Sequence, residues 1–154
     1  QVTIGEKVPD FSLPGTGKQT FRLGDLLGQE HLVLYFYPRD DTAGCTTEGR
    51  EFAAAHERIR AAGARLLGVS RDSITSHEKF KCKHDFPFDL LADEDETVCT
   101  LFDVIKMKNM YGKQVRGIER STFLIDRHGV LRQAWRKVKV PGHVDEVIAA
   151  LESL

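Results

Sequence analysis

A run of six apolar residues at 32–37, followed by a proline, constrains the fold more than any other segment of the chain. Aliphatic and aromatic residues without polar alternation are typical of a strand buried on both faces. Pro38 cannot continue a central strand, because it lacks the backbone N–H that the ladder needs. A strand buried on both faces requires a layer of structure on each side of its sheet. The sequence therefore predicts a central strand over residues 31–37 of an α/β protein.

Segments with strand and helix patterns alternate along the rest of the chain. The predicted strands cover residues 11–13, 20–23, 64–70, 88–91, 121–126 and 130–138, and the predicted helices cover residues 45–62, 73–84, 93–103 and 143–154. The first two strands form an N-terminal hairpin, the last two form a second hairpin, and residues 106–119 are irregular or an extended excursion. No repeat or linker divides the chain. We therefore expect one domain over residues 1–154, a three-layer α/β sandwich around a mixed sheet.

Two of the predicted helices begin with capping residues. Asp72 or Ser73 offers the N-cap of the helix that ends near residue 84. Asp93, with Glu96 three residues later, resembles a capping box before the following helix. These residues predict where both helices start.

The balance of charge disfavours two classes of partner. The chain has 22 lysines and arginines against 23 aspartates and glutamates, a formal net charge of -1, so no basic surplus attracts a phosphate backbone. No apolar run approaches the roughly 20 residues that a membrane-spanning helix needs. We therefore expect neither a nucleic-acid partner nor a membrane partner.

The cysteines indicate a reducing compartment. Their number, three, is odd, and their spacings of 37 (Cys45 to Cys82) and 17 (Cys82 to Cys99) do not resemble a secreted disulfide framework. The first residues also lack the basic flank and apolar stretch of a secretory signal. A cytoplasmic location is the prediction.

Cys45 falls in the first turn of the helix that follows the buried strand. Free backbone N–H groups and the positive end of the helix dipole favour a thiolate there. Thr42 can direct its hydroxyl at the sulfur or at a ligand beside it, and Pro38 fixes the intervening loop. Taken singly, each residue also fits an ordinary role, a small buried hydrophobe for Cys45 and loop or cap residues for the other two.

Together these residues form the pattern Pro38-x-x-x-Thr42-x-x-Cys45, with Glu48 three residues further on. The pattern resembles the active-site motif of the peroxiredoxins, thiol peroxidases with a thioredoxin-like fold. Segments 68–72, 86–93, 117–126 and 139–144 are similar to the bacterioferritin-comigratory-protein or peroxiredoxin Q branch. The resemblance covers essentially the whole chain and implies that the expected sandwich is thioredoxin-like.

The resemblance also implies an activity, the reduction of hydrogen peroxide and organic hydroperoxides with Cys45 as the peroxidatic nucleophile. Such a site must hold a thiolate, align the O–O bond and neutralise the departing oxygen. Arg120 matches the family's active-site arginine and Glu48 a position that orients an arginine, whereas an isolated arginine more often forms a surface ion pair. The resemblance further implies a monomer that is re-reduced by thioredoxin. No bound cofactor is expected, because the sulfur itself carries the electrons.

The second cysteine of the reaction is less directly indicated. Oxidation would convert Cys45 to a sulfenic acid, which condenses with a thiol or is oxidised further. Many members of the branch carry the resolving cysteine five residues later, where this chain has Arg50. A subgroup carries it on the next helix, where Cys82 lies, and there the cysteine directly follows a phenylalanine. In this chain Lys81 stands between Phe80 and Cys82, which rotates the cysteine by about 100° around the helix relative to that pattern. A Cys45–Cys82 disulfide would require local unwinding, because linked Cα atoms lie within roughly 7 Å.

Several alternatives stay open at this point. Cys82 can be an idle residue on a solvated helix face while an external thiol resolves Cys45, or Cys45 can serve a redox sensor that does not turn over. An inert cysteine in a structural thioredoxin-like domain is a third alternative. Cys99 lies in an apolar helix pattern and is expected in the core. A structural zinc site at His77, Cys82 and His84 is disfavoured, because these residues lack the paired spacing of zinc ligands.

Overall fold

The apolar run after residue 30 forms the central strand of a mixed sheet in the computed structural model, which describes residues 1–154. The strands are β1 Ser12–Gly15, β2 Gln19–Arg22, β3 His31–Phe36, β4 Ala64–Ser70, β5 Asp89–Ala92, β6 Ile105–Met110, β7 Lys113–Ile118, β8 Ser121–Ile125 and β9 Leu131–Trp135. The helices are α1 Leu23–Leu26, α2 Ala43–Ala54, α3 His56–Ala61, α4 Ile74–His84, α5 Thr97–Leu101 and α6 His143–Glu152. No helix has the length and apolar character needed to cross a membrane.

Seven of the strands form one sheet in the order β2-β1-β5-β4-β3-β8-β9. The central strand β3 pairs in parallel with β4 and antiparallel with β8, and β4 pairs in parallel with β5. The N-terminal hairpin β1–β2 joins the sheet through β5. The mixed sheet and the N-terminal hairpin are therefore as predicted.

Side chains of β3 alternate between two cores, as the pleat of a strand requires. Leu34 and Phe36 pack with side chains of α1 and α5 on one face. Val33 and Tyr35 pack with side chains of α2, α3, α4 and α6 on the other. These two cores and the sheet between them form the predicted three-layer sandwich.

Two helix predictions were wrong in their extent. The helix predicted over 45–62 is two helices, α2 and α3, and no residue type in the alanine-rich sequence marks the break. At Ala55 the backbone tightens, and its N–H is shared between the carbonyls of Glu51 and Phe52 at 3.2 and 3.1 Å, as at many helix ends. The helix predicted over 93–103 is the shorter α5, because Asp93 accepts hydrogen bonds from the N–H groups of Val98 and Cys99, well inside the predicted helix.

The capping residues were predicted in part. Ser73, rather than Asp72, caps α4 by accepting from the N–H of Ser76 at 3.1 Å. Glu96 does not complete a capping box with Asp93, because its carboxylate is paired with two arginines. For the segment 106–119 the sequence allowed either irregular structure or an extended excursion. The structure shows the second, a separate hairpin formed by β6 and β7.

Candidate active site

The site begins where β3 ends and α2 starts. Pro38, half-buried, opens the connecting loop, and Thr42 is the residue immediately before α2. Cys45 is the third residue of α2 and only 2% exposed. The sulfur is thus fixed on the first turn of a helix that packs against the central strand.

Sheet pairing brings Arg120 to this helix. Arg120 directly precedes β8, and the first residue of β8, Ser121, pairs with Phe36 at the end of β3. The start of β8 therefore lies beside the strand end from which the loop to α2 departs. Arg120 Nη2 lies 3.5 Å from Cys45 Sγ, close enough to stabilise a thiolate by a charge-assisted hydrogen bond.

The other terminal nitrogen of the guanidinium is held by Glu48. Arg120 Nη1 donates to Glu48 Oε1 at 2.7 Å, and the glutamate side chain is fully buried. Glu48 lies one helical turn after Cys45 on α2, so a single helix presents both the sulfur and the carboxylate to the arginine. This fork fixes the guanidinium beside the sulfur.

The charges at this fork act on one another. Burial raises the pKa of Glu48 from 4.5 to about 7, although the charge and hydrogen bond of Arg120 oppose that rise. Burial alone would lower the pKa of Arg120, but Glu48 and Cys45 raise it above its ordinary value. The guanidinium therefore keeps its charge, whereas burial makes the carboxyl group of Glu48 harder to ionise. The second carboxyl oxygen, Glu48 Oε2, is buried without a protein partner.

Thr42 lies at the exposed side of the site. Its hydroxyl donates to the carbonyl oxygen of Arg39 at 3.0 Å, so the oxygen keeps its lone pairs free to accept a further hydrogen bond. No side chain caps the N-terminus of α2. The first-turn N–H groups and the Thr42 oxygen are therefore open to a ligand that approaches Cys45.

Two residues near the arginine were missed at the sequence level. A Cβ at Gly44 would lie 3.1 Å from Arg120 Nη2, so the glycine permits the close approach of the guanidinium. A glycine in the first turn of a helix, a costly choice for helix stability, was the available signal. The second missed residue is Lys108 on β6. Burial lowers the pKa of Lys108 most, and the charge of Arg120 lowers it further, whereas the charges of Glu119 and Cys45 raise it. No sequence signal placed this second cation near the sulfur.

The other two cysteines differ sharply from Cys45. Cys82 is exposed on α4, and the next two residues, Lys83 and His84, contact Asp41 of the active-site loop at 2.9 and 3.5 Å. Cys99 is fully buried in the core, as predicted. Burial raises the pKa of the Cys99 thiol strongly, and the neighbouring Asp93 carboxylate raises it further.

All three cysteines are free thiols, and Cys45 and Cys82 lie on separate helices. The ligand trio weighed for zinc is not assembled either. His77 is buried against Asp40 and Leu91, on a different side of α4 from the exposed Cys82. The structure thus gathers Pro38, Thr42, Cys45, Glu48 and Arg120 in one place and leaves Cys82 outside it.

The geometry suits nucleophilic attack by sulfur. A cysteine sulfur, a fixed cation beside it and backbone donors without a side-chain cap on the same helix turn can bind an oxygen-rich electrophile and stabilise the oxygen that leaves.

The comparisons with known proteins agree with this chemistry. The AhpC/TSA family matches residues 4–134. The peroxiredoxin Bcp of Xanthomonas campestris is 61% identical over 122 residues, 79% of this chain and 76% of that protein. The peroxiredoxin Bcp of Bacillus subtilis is 48% identical over 153 residues, 99% of this chain and 97% of that protein.

Solved structures show the same relationship. Xanthomonas campestris peroxiredoxin Q superposes with a TM-score of 0.88 at 54% identity, covering 93% of this chain and 90% of that one. A cysteine-to-serine mutant of Xylella fastidiosa PrxQ gives 0.93 at 44% identity, covering 99% and 97%. The three-layer sandwich is accordingly the thioredoxin-like fold of these proteins. The chain therefore belongs to the AhpC/TSA family and is a peroxiredoxin of the Bcp, or peroxiredoxin Q, group, an enzyme that reduces peroxides with a thiol.

Proposed function

We propose that Cys45 is the peroxidatic cysteine and that the enzyme reduces hydrogen peroxide and organic hydroperoxides. The observation that carries this proposal is the position of Arg120, with one nitrogen 3.5 Å from the Cys45 sulfur and the other held by Glu48. Among the three cysteines, Cys45 alone combines a place in an uncapped first helical turn with a guanidinium contact.

In the first step the Cys45 thiolate attacks the terminal oxygen of the hydroperoxide. An S–O bond forms, the O–O bond breaks, and the leaving hydroxide or alkoxide takes a proton to become water or an alcohol. Arg120 stabilises the thiolate beforehand and the negative leaving oxygen afterwards, so its charge is used throughout the step. The free lone pairs of Thr42 Oγ1 accept a hydrogen bond from the peroxide O–H and align the O–O bond.

The proposed substrates include organic hydroperoxides because a related protein has been studied for alkyl peroxide reduction. A solved structure of the Xanthomonas campestris bacterioferritin comigratory protein, 53% identical to this chain, concerns the alkyl peroxide reduction activity of that protein. In this chain Thr42 and the next two residues, Ala43 and Gly44, are exposed. An alkyl group attached to the leaving oxygen can therefore extend past them into solvent.

We propose Cys82 as the resolving cysteine. Its neighbours Lys83 and His84 contact Asp41, four residues before Cys45, so the end of α4 already lies against the active-site loop. The Cys82 thiolate attacks the Cys45 sulfenic acid, the S–S bond forms, the S–O bond breaks, and hydroxide leaves to become water. Because Cys45 is buried and Cys82 exposed, part of α2 or α4 must unwind first. Thioredoxin, or a similar dithiol, then reduces the disulfide.

The remaining expectations are proposals of the same standing. We propose that residues 1–154 form a single domain that acts as a monomer in the cytoplasm. The reaction needs no bound cofactor, because two sulfur atoms carry the two electrons.

Intact mass with peptide mapping tests the proposal on fully reduced protein after one equivalent of hydrogen peroxide. We expect the loss of two hydrogens and a Cys45–Cys82 linked peptide, both in the unmodified protein and in the matched control Cys99→Ser. The Cys82→Ser variant should gain one oxygen at Cys45 and lose thioredoxin-dependent turnover.

Two results would contradict parts of the proposal. Oxygen gained at Cys45 without a crosslink in the unmodified protein would point to a one-cysteine enzyme that an external thiol resolves. No rapid change at Cys45 would reject its role as the peroxidatic residue.

A further inference from the structure

The active-site loop is fixed at Asp40, whose side chain is buried among three polar side chains. Asp40 Oδ1 accepts from the Tyr37 hydroxyl at 2.6 Å. Asp40 Oδ2 accepts from the Ser76 hydroxyl at 2.8 Å and lies 2.7 Å from His77 Nδ1. The side chains of His77 and Asp40 are 0% and 4% exposed. Ser76 and His77 both belong to the first turn of α4, the helix that carries Cys82.

The Asp40–His77 contact is held to the central sheet from both sides. Tyr37 directly follows β3, and His77 Nε2 donates to the carbonyl oxygen of Leu91 in β5 at 2.8 Å. Both ring nitrogens of His77 therefore lie within hydrogen-bond distance of an oxygen atom, Nδ1 of the Asp40 carboxylate and Nε2 of the Leu91 carbonyl. A buried network whose members are all paired is costly to pull apart. This contact should persist when weaker contacts around it break.

A metal site is the competing interpretation of this cluster, because ligand atoms of Asp40, Asp72 and His77 lie within 4.8 Å of one another. Hydrogen bonds within the cluster already account for these atoms. Asp72 Oδ2 accepts from the Asp40 N–H at 2.9 Å and from the Ser70 hydroxyl. Both ring nitrogens of His77 are engaged as well. The cluster is therefore a hydrogen-bonded network that joins the loop to α4.

The loop holds the other end of α4 far more weakly. Asp41 contacts Lys83 at 2.9 Å and His84 at 3.5 Å. The side chains of Asp41 and Lys83 are 51% and 60% exposed, and exposed ion pairs contribute little. Between the two contacts, a surface groove of about 370 Å³, lined almost entirely by polar side chains, separates the loop from α4. The first turn of α4 is thus firmly attached to the active-site loop, and the turn with Cys82 is not.

The two cysteines lie at equal distances along the chain from this attachment. Cys45 follows Asp40 by five residues, and Cys82 follows His77 by five residues. A five-residue segment spans at most about 17 Å when fully extended. Each cysteine is thus on a short arm from one common point. Building on the disulfide proposed above, we propose that Asp40 and His77 are positioning residues. They hold the two arms, residues 40–45 and 77–82, together while the end of α4 unwinds. Cys82 therefore stays at a high effective concentration near oxidised Cys45.

The consequence is a competition that can be measured. When Cys82 arrives, its thiolate displaces hydroxide from the Cys45 sulfenic acid and the disulfide forms. When it arrives late, a second peroxide molecule transfers an oxygen to Cys45, which becomes a sulfinic acid while that peroxide is reduced to water or an alcohol. The ratio of disulfide to sulfinic acid therefore reports on the arms rather than on overall stability.

Loss of the attachment should lengthen one arm. Once the end of α4 has unwound and the contacts of Asp41 with Lys83 and His84 are lost, the next contact between the loop and this part of the chain is the hydrogen bond from the Asp40 N–H to Asp72, ten residues before Cys82. The two arms together then grow from about 10 to about 15 residues, and loop-closure entropy slows their encounter by about twofold. We expect disulfide formation to slow by at least about this factor and the sulfinic acid fraction to rise accordingly.

The test uses the reduced full-length protein with Ser76→Ala and His77→Ala combined, which leaves Asp40 and the loop sequence unchanged. Rapid-quench mass spectrometry at several hydrogen peroxide concentrations gives the rate of disulfide formation and the sulfinic acid fraction. Should that variant not fold, Asp40→Asn weakens the attachment without removing side-chain volume, and the same direction of change is expected.

His31→Gln is the matched control. His31 is a buried histidine at the far end of β3 that accepts the N–H of Arg127 at 3.0 Å, so its loss lowers stability without touching either arm. We expect its ratio of disulfide to sulfinic acid to equal that of the unmodified protein. Disulfide formation at an unchanged or higher rate in the Ser76/His77 variant would overturn this inference alone. Absence of the disulfide in the unmodified protein would overturn the proposed resolving role and this inference together.

Discussion

Cys45 and Cys99 occupy the same position in two helices, yet opposite charges lie beside them. Each is the third residue of its helix, and each is buried, 2% and 0% exposed. Arg120 contacts the sulfur of Cys45. Beside Cys99 lies the carboxylate of Asp93, which also accepts hydrogen bonds from the N–H groups of Val98 and Cys99.

The difference shows that a first-turn position does not by itself make a cysteine reactive. At α5 the aspartate uses the free N–H groups of the helix end and adds a negative charge, so both features that favour a thiolate are cancelled. At α2 no side chain caps the helix, and a cation is added. The charge of the side chain beside the sulfur, and whether a side chain caps the helix, therefore distinguish Cys45 from Cys99.

The largest expected effect comes from making the surroundings of Cys45 more like those of Cys99. Arg120→Gln removes the cation and the fork to Glu48, and we expect oxidation of Cys45 by hydrogen peroxide to slow by about 10²- to 10³-fold. Arg120→Lys keeps the charge but cannot reach both partners, so its loss should be intermediate. Stopped-flow kinetics of the reduced protein measure both rates.

Arg136→Gln provides the control for this change. Arg136 donates to the carbonyl oxygens of Phe102 and Asp103, away from the sulfur, so the same loss of charge should leave the oxidation rate within about twofold. If Arg120→Gln were as fast as this control, the guanidinium would have no part in the chemistry, and the contrast between the two cysteines would need another cause.

The sequence predicted the parts of the site that lie close together in the chain. Pro38, Thr42 and Cys45 follow a recognisable strand, so local patterns place them on one loop and helix turn. Arg120 is 75 residues from Cys45, and only the resemblance to a known family connected them. The burial of Glu48 could not be read from a helix that has polar residues on every side.

Contacts between distant side chains account for most of what was missed. Asp40 looks like a solvated loop residue, but it is buried because His77, 37 residues away, meets it. The hairpin β6–β7 was ambiguous because both its faces are largely exposed, so no apolar alternation marks its strands. The break between α2 and α3 falls in a run of alanines, where helix propensity favours continuation.

The next effect concerns the acid in the Cys45 site. Burial raises the pKa of Glu48 from 4.5 to about 7, so between these pH values the folded protein binds more protons than the unfolded chain. Its contribution to the free energy of unfolding therefore falls as pH rises through this range, by up to about 3 kcal/mol. Glu48→Gln should remove this dependence.

Denaturant unfolding of the reduced protein from pH 4.5 to pH 7.5 measures this difference. Burial, and after it the charge of Arg120, lowers the pKa of His143 to about 4. The contribution of His143 to the free energy of unfolding therefore rises with pH, opposite to that of Glu48. Subtracting the Glu48→Gln curve from that of the unmodified protein cancels the histidine. A difference that stays constant with pH would show that Glu48 is ionised throughout, and that an anion lies in the Cys45 site as one does beside Cys99.

The smallest effect tests how closely the cation must approach. A Cβ at Gly44 would lie 3.1 Å from Arg120 Nη2, so Gly44→Ala should push the guanidinium by a few tenths of an ångström. We expect oxidation of Cys45 to slow by roughly threefold to tenfold. At the same time the stability of α2 should rise by up to about 1 kcal/mol, because alanine favours the helix.

A double-mutant cycle decides whether the two effects share the arginine. In the Arg120→Lys background the planar group that Gly44 accommodates is gone, so Gly44→Ala should no longer slow oxidation, while the gain in stability should remain. Stopped-flow rates and thermal unfolding of all four proteins give both quantities. Equal slowing in the two backgrounds would mean that the added methyl group acts on the helix or on the approaching peroxide, and that the position of the cation beside Cys45 tolerates such a shift.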